Sequence, residues 1–345
     1  MQKPFFSIII PAYNLENYIA ATLQSVLVQT FQDFEIIIVD DGSSDETVSI
    51  IQSFHDPRIH LVSQVNGGVS RARNAGMKKA MGAYIAFLDG DDYWYPEHLE
   101  LAADFFNRHP EILAYANRYM RDELEAIPPR PPSYPESIRR LGIRGVLFMN
   151  SSSVILNSSL ASRLPPWEEA MPYGEDGLYW TRCMRGTGLI GLGGSVTSIY
   201  RQRASSAMHD EHYQHISLHS LIAPLLNELE AMKNPKWQFA VHYLVIRELH
   251  PKRLLSLNAE ERISLTGRIR KIMHPCLNRP FLDSYMKACS ARAGMEQSFS
   301  ALMDRTMFCC KWLDRLERMG RSRFFRLQTN NGMESKHQDP VRSRS

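Results

Sequence analysis

Nowhere in the 345 residues does an apolar run approach the roughly 20 positions that a membrane-spanning helix requires. The chain enters an apolar strand pattern almost at once, so no signal peptide is expected. Cysteine is scarce: Cys183, Cys276, Cys289, Cys309 and Cys310 show neither metal-ligand spacing nor an even count. Reduced thiols in a cytoplasmic protein are the expectation, not a disulfide framework or a zinc site. No basic face interleaved with aromatics accompanies a recognisable motif, which excludes a nucleic-acid binder. The first strand leads into Pro11-Ala12-Tyr13-Asn14 and not into Gly-x-Gly-x-x-Gly, which excludes a nicotinamide-dependent oxidoreductase.

What is present is the composition of a globular enzyme, 44% hydrophobic, with a net charge of +3 spread unevenly. Residues 1–100 hold six Lys/Arg against thirteen Asp/Glu, so the acidic excess lies in the first third. Ser7-Ile8-Ile9-Ile10, Phe34 to Val39 and Tyr84 to Leu88 read as buried strands. Between them, Leu15 to Thr30 places Ile19, Leu23, Val26 and Leu27 on one helical face. Ser43 with Glu46 three residues later reads as a capping box that opens a second helix. A glycine-rich stretch, Asn66 to Gly76, opens a third. Strand and helix alternating at this pace predict a parallel sheet covered on both faces, with ligands at the carboxyl ends of the strands. The polar clusters fall there: Tyr13-Asn14, Asp40-Asp41-Gly42-Ser43 and Asp89-Gly90-Asp91-Asp92. Three carboxylates within four positions raise one another's pKa unless a cation lies between them, and hard oxygen donors suit Mg²⁺ or Mn²⁺.

These motifs, with Ala72-Arg73-Asn74-Ala75-Gly76 and the later Gly174-Glu175-Asp176-Gly177-Leu178-Tyr179-Trp180-Thr181-Arg182, resemble family 2 glycosyltransferases over roughly residues 4–205. The resemblance implies a GT-A fold: a Rossmann-like, mostly parallel α/β sheet flanked by helices. Residues 1–125 would form the nucleotide-sugar half, and 126–205 the acceptor half. The implied activity is inverting transfer of a sugar from a nucleoside diphosphate, UDP by family preference, to a glycan or lipid-linked acceptor. A non-catalytic binding module of the same fold is the alternative.

On this reading Pro11, Tyr13 and Glu16 border the donor base, and Asp41 accepts hydrogen bonds from base or ribose. Arg71 and Asn74, near a helix N-terminus, face phosphate. Asp91 is the metal ligand, Asp89 contacts ribose or the metal's water, and Asp92 is a turn residue or a rival ligand. Gly90 permits a tight turn beside the diphosphate. Asp176 is the expected general base, with Glu175 as the other candidate. Arg203, at the end of Tyr200-Arg201-Gln202-Arg203, stands where the family often has a histidine and would contact diphosphate.

Five prolines between Pro128 and Pro135 forbid helix and ladder, predicting a loop. Residues 206–328 are expected to be a helical C-terminal region, and 329–345 a disordered tail. Within 301–327, a net charge of +4 and an apolar stripe of Cys309, Trp312, Leu313, Leu316 and Met319 suit either core packing or peripheral contact with an anionic membrane.

Overall fold

The computed structural model describes residues 3–122, 127–139, 149–202, 218–231 and 259–272, together with Val241, Leu244 and Val245. Its centre is a nine-stranded sheet. Strands β1 (Phe6–Ala12), β2 (Phe34–Asp40), β3 (Ile59–Ser63) and β4 (Tyr84–Phe87) pair in parallel in the order β3-β2-β1-β4. All seven residues of β1 and all seven of β2 are buried, as strands covered on both faces must be. Helices α1 (Ile19–Leu27), α2 (Thr47–Gln52) and α3 (Val69–Lys79) supply the crossovers.

Beyond β4 the pairing changes sense. After the short β5 (Tyr93–Trp94) and α4 (His98–Arg108) come β6 (Ala114–Asp122), β7 (Ser137–Arg139), β8 (Val154–Asn157) and β9 (Ile190–Arg201). Strand β8 is antiparallel to both β4 and β6 and joins the halves of the sheet, while β6 and β9 run parallel. Helix α5 (Ser158–Ala161) follows β8, and α6 (Glu175–Thr187) precedes β9. Residues 127–136, which hold the prolines, form no helix or strand. They lie along the sheet through Tyr134 N–H to Gly194 O (2.9 Å), Tyr95 O–H to Pro128 O (2.6 Å) and an Arg130–Glu97 ion pair.

Side chains alternate across β1, so two cores form. Ile8 and Ile10 pack with α1 and with Leu99, Phe105 and Phe106 of α4. Ile9 faces the other way, into a cluster with Phe87, Trp167, Tyr179 and Trp180. Helix α7 (Leu218–Ala231) adds Ile222, Leu225, Leu226 and Leu229 to this second core, and α8 (Ala259–Ile272) adds Leu265 and Ile269. The helical expectation for the C-terminal region holds at α7 and α8. Residues 301–327 and 329–345 lie outside the described residues. Among the described residues, no helix is long and apolar enough to cross a membrane.

Two local expectations fail. The Ser43–Glu46 capping box does not form, because Asp45 takes the capping role: its carboxylate accepts from the Thr47 N–H (3.0 Å) and the Thr47 hydroxyl (2.5 Å). The Ser43 hydroxyl accepts instead from Asn14 N–H at 3.0 Å. The first helix is also shorter than its apolar pattern, since Leu15 N–H is drawn to Thr47 Oγ1 (2.6 Å), leaving residues before Ile19 in a turn.

His98 is fully buried at the junction of the halves. Its ring stacks on Trp94 at 4.1 Å, Nδ1 pairs with Thr197 Oγ1 at 2.9 Å, and Nε2 has no partner. Burial pushes its pKa down to about 3. Below the ordinary value of 6.5 the unfolded chain therefore binds a proton that the native state refuses. Stability should fall as pH drops from 6.5 toward 3, by up to about 1.4 kcal/mol per pH unit from this group. His98→Phe keeps the stack and removes the titration. Urea unfolding at pH 7 and pH 5 should show a smaller acid loss in the variant than in the parent.

Candidate active site

The functional side chains gather at the carboxyl ends of β1, β2 and β4 and at the N-termini of α3 and α6. Both helices start from a glycine in the left-handed region, Gly68 at φ 87° and Gly174 at φ 75°, and neither has a side-chain cap. No N-cap side chain therefore takes their first N–H groups, although in α6 the Asp176 carboxylate accepts from Gly177 N–H.

Arg73, on α3, organises the centre. Its guanidinium donates from Nη2 to Asp89 Oδ1 at 2.7 Å and from Nη1 to Glu175 Oε1 at 2.9 Å, and it lies 4.4 Å above the Trp167 ring. Burial works to strip its proton, but Asp89 and Glu175 outweigh burial and hold its pKa above the usual range. Glu175 is the softer member of the pair: burial, then the neighbouring Asp176, push its pKa up to about 7 against the pull of Arg73. One fork thus ties the acidic turn after β4 to the acidic pair that opens α6, and its arm to Glu175 spans 102 residues of chain. The sequence singled out the neighbours Arg71 and Asn74 but not Arg73. Its only local signal was the Ala-Arg-Asn run.

The three carboxylates after β4 have separate fates. Asp92 is fully buried; it accepts from Ser152 O–H (2.5 Å) and from Arg201 N–H (2.9 Å), and burial, Asp91 and Asp89 all push its pKa well up. Ser152 Oγ in turn accepts from Asp89 N–H at 3.0 Å. Asp92 therefore serves as the turn residue, knotting the motif to β9, and is withdrawn as a rival ligand. Asp89 and Asp91 remain partly exposed. Gly90 is needed for space and not for a positive φ: a Cβ there would meet Leu15 Cδ1 at 2.6 Å and Pro11 O at 2.9 Å.

Other expected contacts move. Asp41, only 3% exposed, accepts from Gln64 Nε2 (2.7 Å), Gly67 N–H (3.0 Å) and Gly68 N–H (2.7 Å). Its carboxylate sets the loop before α3, and a direct contact with a base would compete with these bonds. Asn74 already has protein partners: it donates to Trp167 O (2.9 Å) and Glu169 Oε1 (2.8 Å) and accepts from Trp167 N–H (2.9 Å). Glu16 accepts from Glu46 N–H at 3.1 Å and so serves the start of α2. Pro11 is buried at the end of β1, Tyr13 is 49% exposed, and Arg71 is exposed with its chain folded over Gly67. Asp176, partly exposed, accepts from Gly177 N–H at 2.6 Å and leaves its other oxygen outside that bond. Arg203 lies outside the described residues. Among those residues, no group of three or more His, Cys, Asp and Glu side chains is arranged to hold a metal by itself.

A family model described as Glycosyl transferase family 2 matches residues 7–159. The UDP-Glc:alpha-D-GlcNAc-diphosphoundecaprenol beta-1,3-glucosyltransferase WfgD of Escherichia coli is 32% identical over 212 residues, which are 60% of this chain and 80% of that protein. The uncharacterized glycosyltransferase EpsJ of Bacillus subtilis is 49% identical over 92 residues, 26% of this chain; the chain spans only 27% of its length, and 59% of another curated relative. Among solved structures, S. aureus TarS residues 1–349 with UDP-GlcNAc aligns with a TM-score of 0.61 at 19% identity, over 87% of this chain and 90% of that one. The mannosyltransferase PcManGT of Pyrobaculum calidifontis with GDP-Man and Mn²⁺ aligns with a TM-score of 0.54 at 15% identity, over 89% and 88%. At such identities these likenesses speak for the fold alone.

Removing Arg73 leaves two carboxylates uncompensated, one of them buried. Arg73→Met should cost about 3–5 kcal/mol in denaturant unfolding, and Arg73→Lys should recover only part, because a single ammonium cannot fork to both oxygens. The folded pKa of Glu175 lies above its ordinary value of 4.5, so its contribution is fully present below 4.5 and lost as pH rises through about 7. Glu175→Gln should flatten that loss, read as the difference between variant and parent at pH 5 and pH 8.

Proposed function

This chain belongs to glycosyltransferase family 2 and has the GT-A type of fold, and from that premise we propose that it transfers a sugar, with inversion, from a UDP-linked donor to a hydroxyl of a glycan or lipid-linked acceptor. The observation that carries the reading is the Arg73 fork, which holds the acidic turn after β4 and the Glu175-Asp176 pair in one ionic network. The E. coli relative WfgD, whose name gives a UDP-Glc donor and a diphosphoundecaprenol acceptor, supports the choice of donor and acceptor class.

Direct displacement at the anomeric carbon needs the acceptor hydroxyl to lose its proton as the diphosphate leaves. Asp176 is the proposed base. Its neighbour Glu175 is buried and paired with Arg73, whereas Asp176 is partly exposed in the first turn of α6. Arg73 acts by position, holding Asp89 on one side and Glu175 on the other. Tyr13, exposed beyond the end of β1, borders the base, while Asp41 acts on the donor through the Gly67–Gly68 loop that it orders. Arg71, reaching back over that loop, supplies positive charge toward the diphosphate.

The donor set fits a divalent cation that takes only part of its shell from protein. Asp91 and Asp89 offer hard oxygens, and after burial it is their charge that pushes the pKa of Asp92 up, a crowding that a cation would relieve. When bound there, Mn²⁺ or Mg²⁺ would supply charge neutralisation for the departing diphosphate. Asp92 is too occupied to join them.

Release of free UDP from a panel of UDP-sugars with Mn²⁺ or Mg²⁺ tests the activity; a panel in which no donor is turned over would sink it. Asp176→Asn should lower turnover by about 10²-fold or more with UDP affinity nearly unchanged. Normal turnover in that variant would remove Asp176 from the base role. Asp91→Ala should abolish the metal-dependent part of UDP binding in calorimetry, a readout independent of turnover. Equal UDP affinity with and without chelator in the parent would refute the metal assignment.

A further inference from the structure

Helix α6 carries Glu175 and Asp176 in its first turn, and the C-terminal region reaches this helix at two points. The first contact is ionic. Arg182 lies two turns beyond Glu175 on the same face of α6. Only 8% exposed, it donates from Nε to Glu228 Oε2 of α7 (2.8 Å), from Nη1 to Pro166 O (3.2 Å) and from Nη2 to Glu168 Oε2 (3.3 Å). The other oxygen of Glu228 accepts from Arg185 Nη1 at 2.9 Å. Glu228 is 9% exposed, so the clamp is largely withdrawn from water.

The second contact is apolar. A Cβ on Gly177 would lie 2.9 Å from Leu244 Cδ2, and Leu244 is itself buried. Glycine is unfavourable inside a helix, and the close approach of Leu244 accounts for it here. Successive residues of a helix stand about 100° apart around its axis. Asp176 is therefore flanked by Glu175, tied to α3, on one side and by Gly177, backed by Leu244, on the other.

To act as base, Asp176 must stand within hydrogen-bond reach of a hydroxyl. A carboxylate lies about 6 Å from its helix axis, so a roll of about 10° moves it by about 1 Å. A shift of that size can lower a rate by about 10²-fold. Arg73 alone would hold α6 at one point and leave the helix free to pivot about it. A second anchor about 10 Å further along the same face removes that freedom. We propose that Glu228 is a positioning residue for the base, setting the roll of α6 through Arg182 and so the place of the Asp176 carboxylate. The inference rests on the transferase reading above. It makes α7 part of the catalytic apparatus, although Glu228 acts only through arginines. Arg182 and Glu228 both lie past residue 159, where the match to the family model ends, so nothing in that match implies the clamp.

Two variants of the full chain test this: Glu228→Gln, and the double variant Arg182→Met with Glu228→Met, which removes the pair without stranding a buried charge. Turnover is read as free UDP released from UDP-glucose, UDP-galactose and UDP-N-acetylglucosamine with Mn²⁺. Calorimetry gives UDP affinity, and mass spectrometry gives amide hydrogen exchange. Both variants should lower kcat at least about tenfold, with donor KM and UDP affinity as in the parent. Exchange should quicken over residues 175–181 and stay at the parent's rate in β1, which a general loss of stability would not spare. Full turnover in the double variant overturns the proposal, because the pair would then serve stability alone. So does UDP affinity that falls in step with kcat, or exchange in α6 equal to the parent's. Should Glu228→Gln fail to fold, the double variant decides; should that fail too, the clamp is structural and the proposal falls. Absence of turnover of every donor by the parent counts against the transferase reading alone, and the exchange data still decide whether Glu228 holds the first turn of α6.

Discussion

The acidic turn after β4 and the acidic pair that opens α6 are held together by the cation of Arg73. Three residue positions fixed by different parts of the sequence meet at it: an aspartate after β4, a glutamate opening α6 and the indole of Trp167. A guanidinium suits this task because it is planar, stays charged when buried and donates along two directions at once. Its desolvation would be prohibitive without both carboxylates, and theirs without it. The Nε of Arg73 lacks a partner, so two bonds and a stacking face carry the whole load. The acidic turn after β4 and the start of α6 are thereby made mutually dependent.

A second constraint acts on the acidic turn itself. Placing three carboxylates within four residues would destabilise any strand end, and the fold resolves this by giving each a separate environment. Asp92 is buried and protonation-prone behind Ser152 and Arg201, Asp89 is neutralised by Arg73, and Asp91 stays toward solvent. Ser152 is the pivot, accepting from the backbone of one aspartate while donating to the side chain of another. The repulsion that the primary structure makes conspicuous becomes, after sorting, one buried carboxylate and two partly exposed ones.

Much of this could be read before the fold was known, because strand ends and acidic motifs are local patterns. The buried runs at 7–10, 34–39 and 84–88 became β1, β2 and β4, and the Glu-Asp pair does open a helix. Pairing partners across long separations were not legible. Asn74 reads as a polar residue near a helix start, yet its amide is spent on a backbone 93 residues away. Asp41 reads as a contact for base or ribose, and nothing local announces that its carboxylate also orders a glycine loop. Gly90 looked like a turn former, and packing against Leu15 explains it instead. Arg73, which matters most, stood in plain sight between two better-advertised neighbours. In each case the residue type was informative, and the geometry that selects one role from several was tertiary.

The strand order has a consequence for how the chain can be divided. Because β8 sits between β4 and β6 and is antiparallel to both, the parallel half ends in β4, whose outer side is satisfied only by residues 155–157. A fragment stopped near residue 125 would expose that side of a wholly apolar strand as a free edge, a ready template for pairing with another copy. Residues 1–125 are thus not a folding unit by themselves. Self-association of such a fragment would follow from an unpaired ladder and would say nothing about how the intact protein assembles.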